Sequence, residues 1–249
     1  MVMREWDDLP EEMKTPEVRK YYDILAKRTG SLIAKRLFDI AASVVLLDIF
    51  SVPMLVIAAL IVVDSPGGVF YRQDRITAYG ETFRIHKFRT MVADADRTGG
   101  DLTVGQDRRI TRVGRFLRKY RLDELPQLLD ILIGKMSCVG TRPEIPKYVA
   151  RYTDEMRATL LLPAGVTSLA SIYYKDEAEL LDAADDVERV YIEDILPQKM
   201  RCNLRAVENF SLLGDMRVML MTVLAVFGRG YGEKHDTAGL AVDSDWIVQ

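Results

Sequence analysis

The chain has 249 residues, 49% of them hydrophobic, enough for one large or two modest buried cores. Its formal net charge is -3, so no global field favours nucleic acid; the basic residues gather locally, in Lys27 to Arg36, Arg72 to Arg89 and Arg108 to Arg121. Two cysteines, Cys138 and Cys202, do not make a disulfide framework and favour an intracellular, reduced chain, and with His86 and His235 they are too scattered for a zinc site.

The first 30 residues are rich in charged side chains, which argues against a cleavable signal peptide. Residues 4–30 carry helical signals: Thr15-Pro16-Glu17 reads as an N-cap and first turn, Tyr21, Tyr22 and Leu25 form an apolar face, and Gly30 is a stop. From Ile40 to Val63 the sequence is almost continuously apolar, longer than the roughly 20 residues that span a bilayer. A buried core helix is the alternative. Asp48 sits near the centre of the run, where an unpaired acid costs about 3 kcal/mol. Pro53 removes an amide donor, and the Ser51 hydroxyl can bond a freed carbonyl. Both flanks are basic, with Lys27, Arg28, Lys35 and Arg36 before the run and Arg72, Arg75, Arg84 and Lys87 after it. A spanning helix shows a one-sided bias, so a re-entrant hairpin that breaks at Ser51-Val52-Pro53 and returns to the same face accounts better for this symmetry.

Ser65-Pro66-Gly67-Gly68 predicts a turn, and Val69–Arg72 and Thr82–Ile85, with Tyr79-Gly80 between them, predict a short β-hairpin. Thr98-Gly99-Gly100 marks a loop. Helical periodicity resumes over Arg112–Tyr120 and again through Leu125, Leu128, Leu129 and Leu132, with Pro126 placing the second helix start at Leu122 or Asp123. Asp176 to Met200 is acidic and then helical. Leu212 to Phe227 is a second apolar stretch, either core or membrane-surface helix because Asp215 and Arg217 disfavour a span. The Gly- and Asp-rich residues 228–249 read as an appendage.

The densest chemistry lies in Leu117-Arg118-Lys119-Tyr120-Arg121-Leu122-Asp123-Glu124-Leu125-Pro126-Gln127-Leu128. Two adjacent carboxylates are expensive unless cations or a metal ion share their charge, and cations beside a helix start suit phosphate. Taken alone, an Asp-Glu pair there is also what helix capping looks like.

The order of parts resembles the bacterial monotopic phosphoglycosyl transferases, or bacterial sugar transferases. Those parts are Lys35-Arg36-Leu37-Phe38-Asp39, the broken apolar helix, Phe83-Arg84-Ile85-His86-Lys87-Phe88-Arg89-Thr90-Met91 and Leu122-Asp123-Glu124-Leu125-Pro126-Gln127, then Met136-Ser137-Cys138-Val139-Gly140-Thr141-Arg142-Pro143 and Asp215-Met216-Arg217. The likeness runs from about Ser31 to Phe227. It implies an α+β, mostly helical fold, with a re-entrant membrane helix-break-helix over 31–65 and an interfacial cytosolic catalytic domain with a short β-hairpin over 66–227; outside it, residues 1–30 read as a cytosolic helical arm and 228–249 as a tail.

The resemblance further implies transfer of a phosphosugar from a UDP-sugar to polyprenol (undecaprenyl) phosphate, with release of UMP. Asp123 takes the nucleophile's place and that of a Mg2+ ligand. Glu124 beside it is the second catalytic candidate, as a base on the acceptor phosphate or a tuner of its neighbour, and Lys87, Arg89, Arg118, Arg142 and Asp215 are the candidate substrate and phosphate contacts. Membrane lipid is an implied partner, a homodimer and downstream glycosyltransferases stay open, nucleic acid is not expected, and the place of action is the cytosolic face of the bacterial inner membrane. The sequence departs from the family at the helix break, where Ser51-Val52-Pro53 has one residue more than Ser-Pro, and at Thr141-Arg142-Pro143 in place of Pro-Arg-Pro. Pro163-Ala164-Gly165-Val166-Thr167-Ser168-Leu169 lacks a cation and an aromatic expected near the nucleotide or sugar, with Tyr173, Tyr174 and Lys175 as substitutes. A non-catalytic membrane scaffold and a lipid-phosphate hydrolase are the rival readings.

Overall fold

The computed structural model describes residues 3–95, 107–174, 177–182 and 184–226. Thr98-Gly99-Gly100, Lys175, His235 and the tail from residue 228 lie outside them. Two short 3-10 turns, Trp6–Asp8 and Glu11–Met13, lead into α1 (Pro16–Ala26). Thr15 caps α1 by accepting from Val18 N at 3.3 Å, and Pro16 stands in the first turn, where its missing amide costs nothing. Gly30 is not a stop. Arg28 N closes α1 on the Leu25 carbonyl, and the Arg28 carbonyl accepts from Leu32 N in the next helix.

That next helix, α2 (Thr29–Asp64), is one element of 36 residues. It continues through Ser51-Val52-Pro53 with Pro53 inside, and Ser51 Oγ donates to the Asp48 carbonyl at 2.7 Å. At 1.5 Å per residue such a helix is about 54 Å long if straight. Both of its halves nevertheless rest on the same body. In the first half, Lys35 Nζ donates to the Val139 carbonyl at 2.8 Å, Arg36 caps the carbonyls of Ile131 and Leu132, and Asp39 accepts from Ser137 Oγ and Cys138 N. In the second half, Ile57 and Ile61 are buried against Phe88 and Leu117. Between these anchors the side chains from Asp48 to Pro53 are mostly exposed, and beyond them so are Leu55 and Val63, at 71% and 85%. An apolar helix left this bare is not a core helix.

The predicted hairpin is present and longer than its signals. β1 (Phe70–Ile76) pairs antiparallel with β2 (Thr82–Phe88) from Phe70↔Phe88 to Ile76↔Thr82, around a 3-10 turn at Ala78–Gly80. Gly67, in the turn out of α2, needs its glycine: φ is +122° and a Cβ there would fall 2.0 Å from the Arg89 guanidinium. Next come α3 (Arg112–Lys119), α4 (Gln127–Leu132), β3 (Met136–Val139), α5 (Pro146–Val149) and β4 (Ala164–Thr167). β3 and β4 form a parallel pair that the sequence reading missed, crossing so closely that a Cβ on Gly165 would meet Gly140 N at 2.1 Å. The rest is helical: α6 (Leu169–Tyr173), α7 (Glu177–Asp182), α8 (Val187–Val190), a π turn at Tyr191–Ile195, α9 (Leu196–Glu208) and α10 (Leu212–Val226). The fold is thus α+β and mostly helical, as expected.

Three apolar clusters organise it. The largest joins Leu9, Met13, Val18, Tyr21 and Leu25 to Tyr148, Leu161, Tyr191, Leu196 and Met200, so the N-terminal arm is built into the core. A second places Leu128, Ile131, Met136 and Val218 against Phe83, Ile85 and the Ala42–Leu47 stretch of α2. A third holds Leu117, Leu122 and Leu125 against Met54, Ile57 and Ile61. α10 buries Val218 and Met221 and exposes Leu213, Leu220 and Val223, so it lies on the body with an apolar face outward.

Candidate active site

The acid pair does not begin a helix. Arg121 is left-handed, with φ of 56°, which costs a non-glycine residue on the order of 1 kcal/mol. Such strain concentrates at functional sites. The reversal throws Leu122–Glu124 into a 3-10 turn, and α4 starts only after Pro126. Leu122 and Leu125 anchor this turn on the second half of α2, fixing the two carboxylates at the foot of the apolar helix.

Glu124 is buried and saturated. Both guanidinium nitrogens of Arg142 grip it, NH1 to Oε2 at 3.1 Å and NH2 to Oε1 closer still. Lys87 Nζ approaches Oε1 at 3.3 Å, and Arg121 NH1 lies 4.0 Å away. Burial alone would raise this carboxyl's pKa, but Arg142 and Lys87 outweigh it and hold Glu124 well below the carboxylate range. The same pairing overcomes burial at Arg142 and raises its pKa. Lys87 goes the other way: burial outweighs Glu124 and brings its ammonium down to about 8.

Asp123 differs from its neighbour. Among the described residues no hydrogen bond or salt bridge holds its side chain. Burial, and then the repulsion of Glu124, push its pKa up against the pull of Lys87, Arg142 and Arg118. It lines a cleft of about 710 Å³ with Tyr71, Arg75, Lys87, Arg109 and Arg118, a size that suits a small polar ligand. Of the two acids, Asp123 is the one that faces the cleft.

The other sequence-predicted residues divide. Arg118, at the end of α3, faces Asp123 across the cleft. Arg89 reaches the cleft wall, but its fork is occupied by the carbonyls of Pro66 at 2.6 Å and Ser65 at 2.7 Å, so it braces the exit of α2. Asp215 is not brought to the acid pair: on the first turn of α10 it pairs with Lys35 at 2.5 Å, beside the Asp39 bonds to β3. Its role is to lock α2 to α10, because a buried lysine needs a counter-charge. The Pro163–Leu169 segment forms β4 and the approach to α6, and neither it nor Tyr173 and Tyr174 lines the cleft. Residues missed by sequence reasoning are Arg75, Gln73 and Arg109. The alternation of Tyr71, Gln73 and Arg75 on β1 was a signal for the first two. Arg75 donates to the Pro143 carbonyl at 3.0 Å and to Gln73 Oε1 at 2.6 Å, tying the hairpin to the Arg142 loop. His86, on the same strand as Lys87, is bound at Nδ1 to the buried Asp130 at 2.7 Å.

An exposed helix long and apolar enough to cross a membrane, above a cleft lined by several cations and Asp123, fits a membrane-associated protein. The family model for bacterial sugar transferases matches residues 30–229, and the chain belongs to that family. Three curated relatives bracket it. An Aeromonas hydrophila protein named UDP-N-acetylgalactosamine-undecaprenyl-phosphate N-acetylgalactosaminephosphotransferase is 34% identical over 80% of this chain and 45% of its own length. A Caulobacter vibrioides UDP-glucose:undecaprenyl-phosphate glucose-1-phosphate transferase is 35% identical over 77% of this chain and 68% of its own. A Rhizobium leguminosarum exopolysaccharide production protein is 33% identical over 81% of this chain and 98% of its own. The chain therefore spans less than half of the Aeromonas relative and nearly all of the Rhizobium one.

Proposed function

We propose that this protein transfers a sugar 1-phosphate from a UDP-sugar to polyprenol phosphate by way of a covalent intermediate on Asp123. A carboxylate oxygen of Asp123 attacks the phosphorus that bears the sugar, and the bond to the bridging oxygen breaks, releasing UMP. A phosphate oxygen of the polyprenol phosphate then attacks the same phosphorus and expels the Asp123 carboxylate, leaving a polyprenyl-diphosphate sugar. The observation that carries this reading is the division of labour in the acid pair: Glu124 is spent on Arg142 and Lys87, while Asp123, in a cationic cleft, has no hydrogen bond or salt bridge among the described residues. Splitting one transfer in two gives ping-pong kinetics. Lys87 and Arg118 face the cleft and would balance charge on the diphosphate.

Mg2+ would be held here by the Asp123 carboxylate, which lines the cleft and makes no hydrogen bond or salt bridge among the described residues. When bound, it would neutralise diphosphate charge. The membrane arrangement belongs to the same proposal: α2 enters and returns to the cytosolic face of the bacterial inner membrane. Pro53 gives the continuous α2 a place to bend, and both of its halves resting on one body, with the Asp48–Pro53 stretch largely exposed between them, supports a bent, returning helix over a straight span.

The test is UMP release by solubilised protein from a panel of UDP-sugars with magnesium, with and without polyprenol phosphate. Sustained release that depends on the acceptor is the expected result. Release to water alone would point to a hydrolase, and no release from any donor would favour a scaffold.

The Lys87 ammonium makes a separate prediction. In the donor half-reaction, kcat/KM should fall on the alkaline side near about pH 8 as Lys87 loses its proton. Lys87→Arg should push that limb upward, because arginine stays charged. An unchanged limb in the variant would remove Lys87 from the charge-balancing role.

A further inference from the structure

α3 has two faces. Inward, Leu117 is buried and Val113 packs beside it on Ile57 and Ile61 of α2, while Arg118 turns to the cleft. Outward, Arg112, Arg115 and Lys119 are all exposed, and among them Phe116 stands 57% open to solvent. Tyr120 packs on Phe116 at 4.9 Å, with the Lys119 ammonium 5.5 Å from the Tyr120 ring. None of the three cations makes a salt bridge among the described residues; Asp64, whose field reaches Arg112, accepts from Val113 N at 2.9 Å. Against this helix lies the second half of α2, whose outer residues Leu55, Val56 and Leu60 are bare.

We propose that this outward face of α3 docks on the anionic phospholipid headgroups of the bilayer, seating the mouth of the cleft at the membrane surface. The inference rests on the membrane reading of α2 and deepens it by naming the lipid chemistry. Three cations on one short face, with no salt bridge among the described residues, call for anions, and a half-exposed phenylalanine among them calls for an apolar boundary. Only an anionic membrane surface supplies both in the order found here, headgroup charge at α3 and acyl chain at α2. Each lysine or arginine near such a surface favours it by about fivefold, so three favour an anionic over a neutral bilayer by roughly a hundredfold. Added salt screens the attraction.

The test places the full chain in nanodiscs of phosphatidylcholine alone, or with about a third of the lipid replaced by phosphatidylglycerol, and follows amide deuterium uptake over residues 112–121. Uptake should slow severalfold in the anionic discs. It should return to the neutral-disc value at high salt, and also in the triple variant Arg112→Gln, Arg115→Gln, Lys119→Gln. The salt arm needs no variant, so a folding defect cannot imitate it. Equal uptake in the two lipids overturns the proposal and leaves the membrane reading of α2 standing, whereas a chain that enters neither disc overturns both.

Discussion

Asp123→Asn should lower UMP formation by roughly four orders of magnitude or more, as loss of a nucleophile does elsewhere, while the folded protein becomes no less stable. The two halves of this expectation have separate causes. An amide oxygen does not form the phosphoanhydride-like bond that the first half-reaction requires, so no alternative path through residue 123 remains. The side chain meanwhile gives up no contact among the described residues on substitution, since no hydrogen bond or salt bridge there ties it down. Its pKa is raised in the folded state, by burial and then by Glu124. Ionised Asp123 therefore opposes folding at neutral pH, and that cost vanishes below its unfolded pKa, where both states hold the proton. The neutral amide removes it, which is the stability–activity trade expected of a site held ready for chemistry. UMP release and thermal unfolding on the same detergent-solubilised preparation check both halves. Residual turnover within tenfold of the parent would take the nucleophile's role from Asp123. A loss of stability would mean that the carboxylate has a structural partner.

How far the sequence carried this picture depended on whether the governing physics was local. The capped start of α1, the hairpin and α3 were all legible, because Thr15-Pro16, the alternation of Val69–Arg72 and the periodicity of Arg112–Tyr120 act over a few residues. The parallel β3–β4 pair was not, because Met136–Val139 and Ala164–Thr167 are each four residues long and meet only across an intervening helix. The start assigned to the second helix failed for a stereochemical reason. A left-handed Arg121 is invisible to periodicity, yet it leads into a separate 3-10 turn that sets Asp123 in the cleft wall and Glu124 against Arg142 and Lys87. Arg89 and Asp215 have partners that their neighbours in sequence did not announce, the carbonyls of Ser65 and Pro66 and the buried Lys35. Motif order located the acid pair; only the fold could separate the carboxylate that is neutralised from the one that is free.

That separation makes Arg142 the residue whose loss should be felt most in stability. Arg142→Met removes the two contacts that neutralise Glu124, together with a bond to the Val166 carbonyl at 3.2 Å, and leaves a buried carboxylate with Lys87 as its principal partner. Breaking a buried pair from one side costs about 3–5 kcal/mol, mostly from the charge left behind. Removing that charge as well should restore part of the loss, so the double variant Arg142→Met, Glu124→Gln should be less destabilised than the two single changes sum to. The pH dependence has a definite sign. Glu124 has a depressed pKa in the folded state, so its contribution is full above the ordinary unfolded value of about 4.3 and drains away as the medium becomes more acidic. The gap in denaturant midpoint between the parent and Arg142→Met should therefore be constant near neutrality and narrow below that point. A gap that ignores pH, or a double variant whose loss is strictly additive, would show that Arg142 stabilises the fold through Val166 and packing rather than through the Glu124 charge. In Arg142→Met, Asp123 faces an acid whose charge is held by Lys87 and Arg121, and the activity measured alongside would show how far the role proposed for Asp123 depends on a neutralised neighbour.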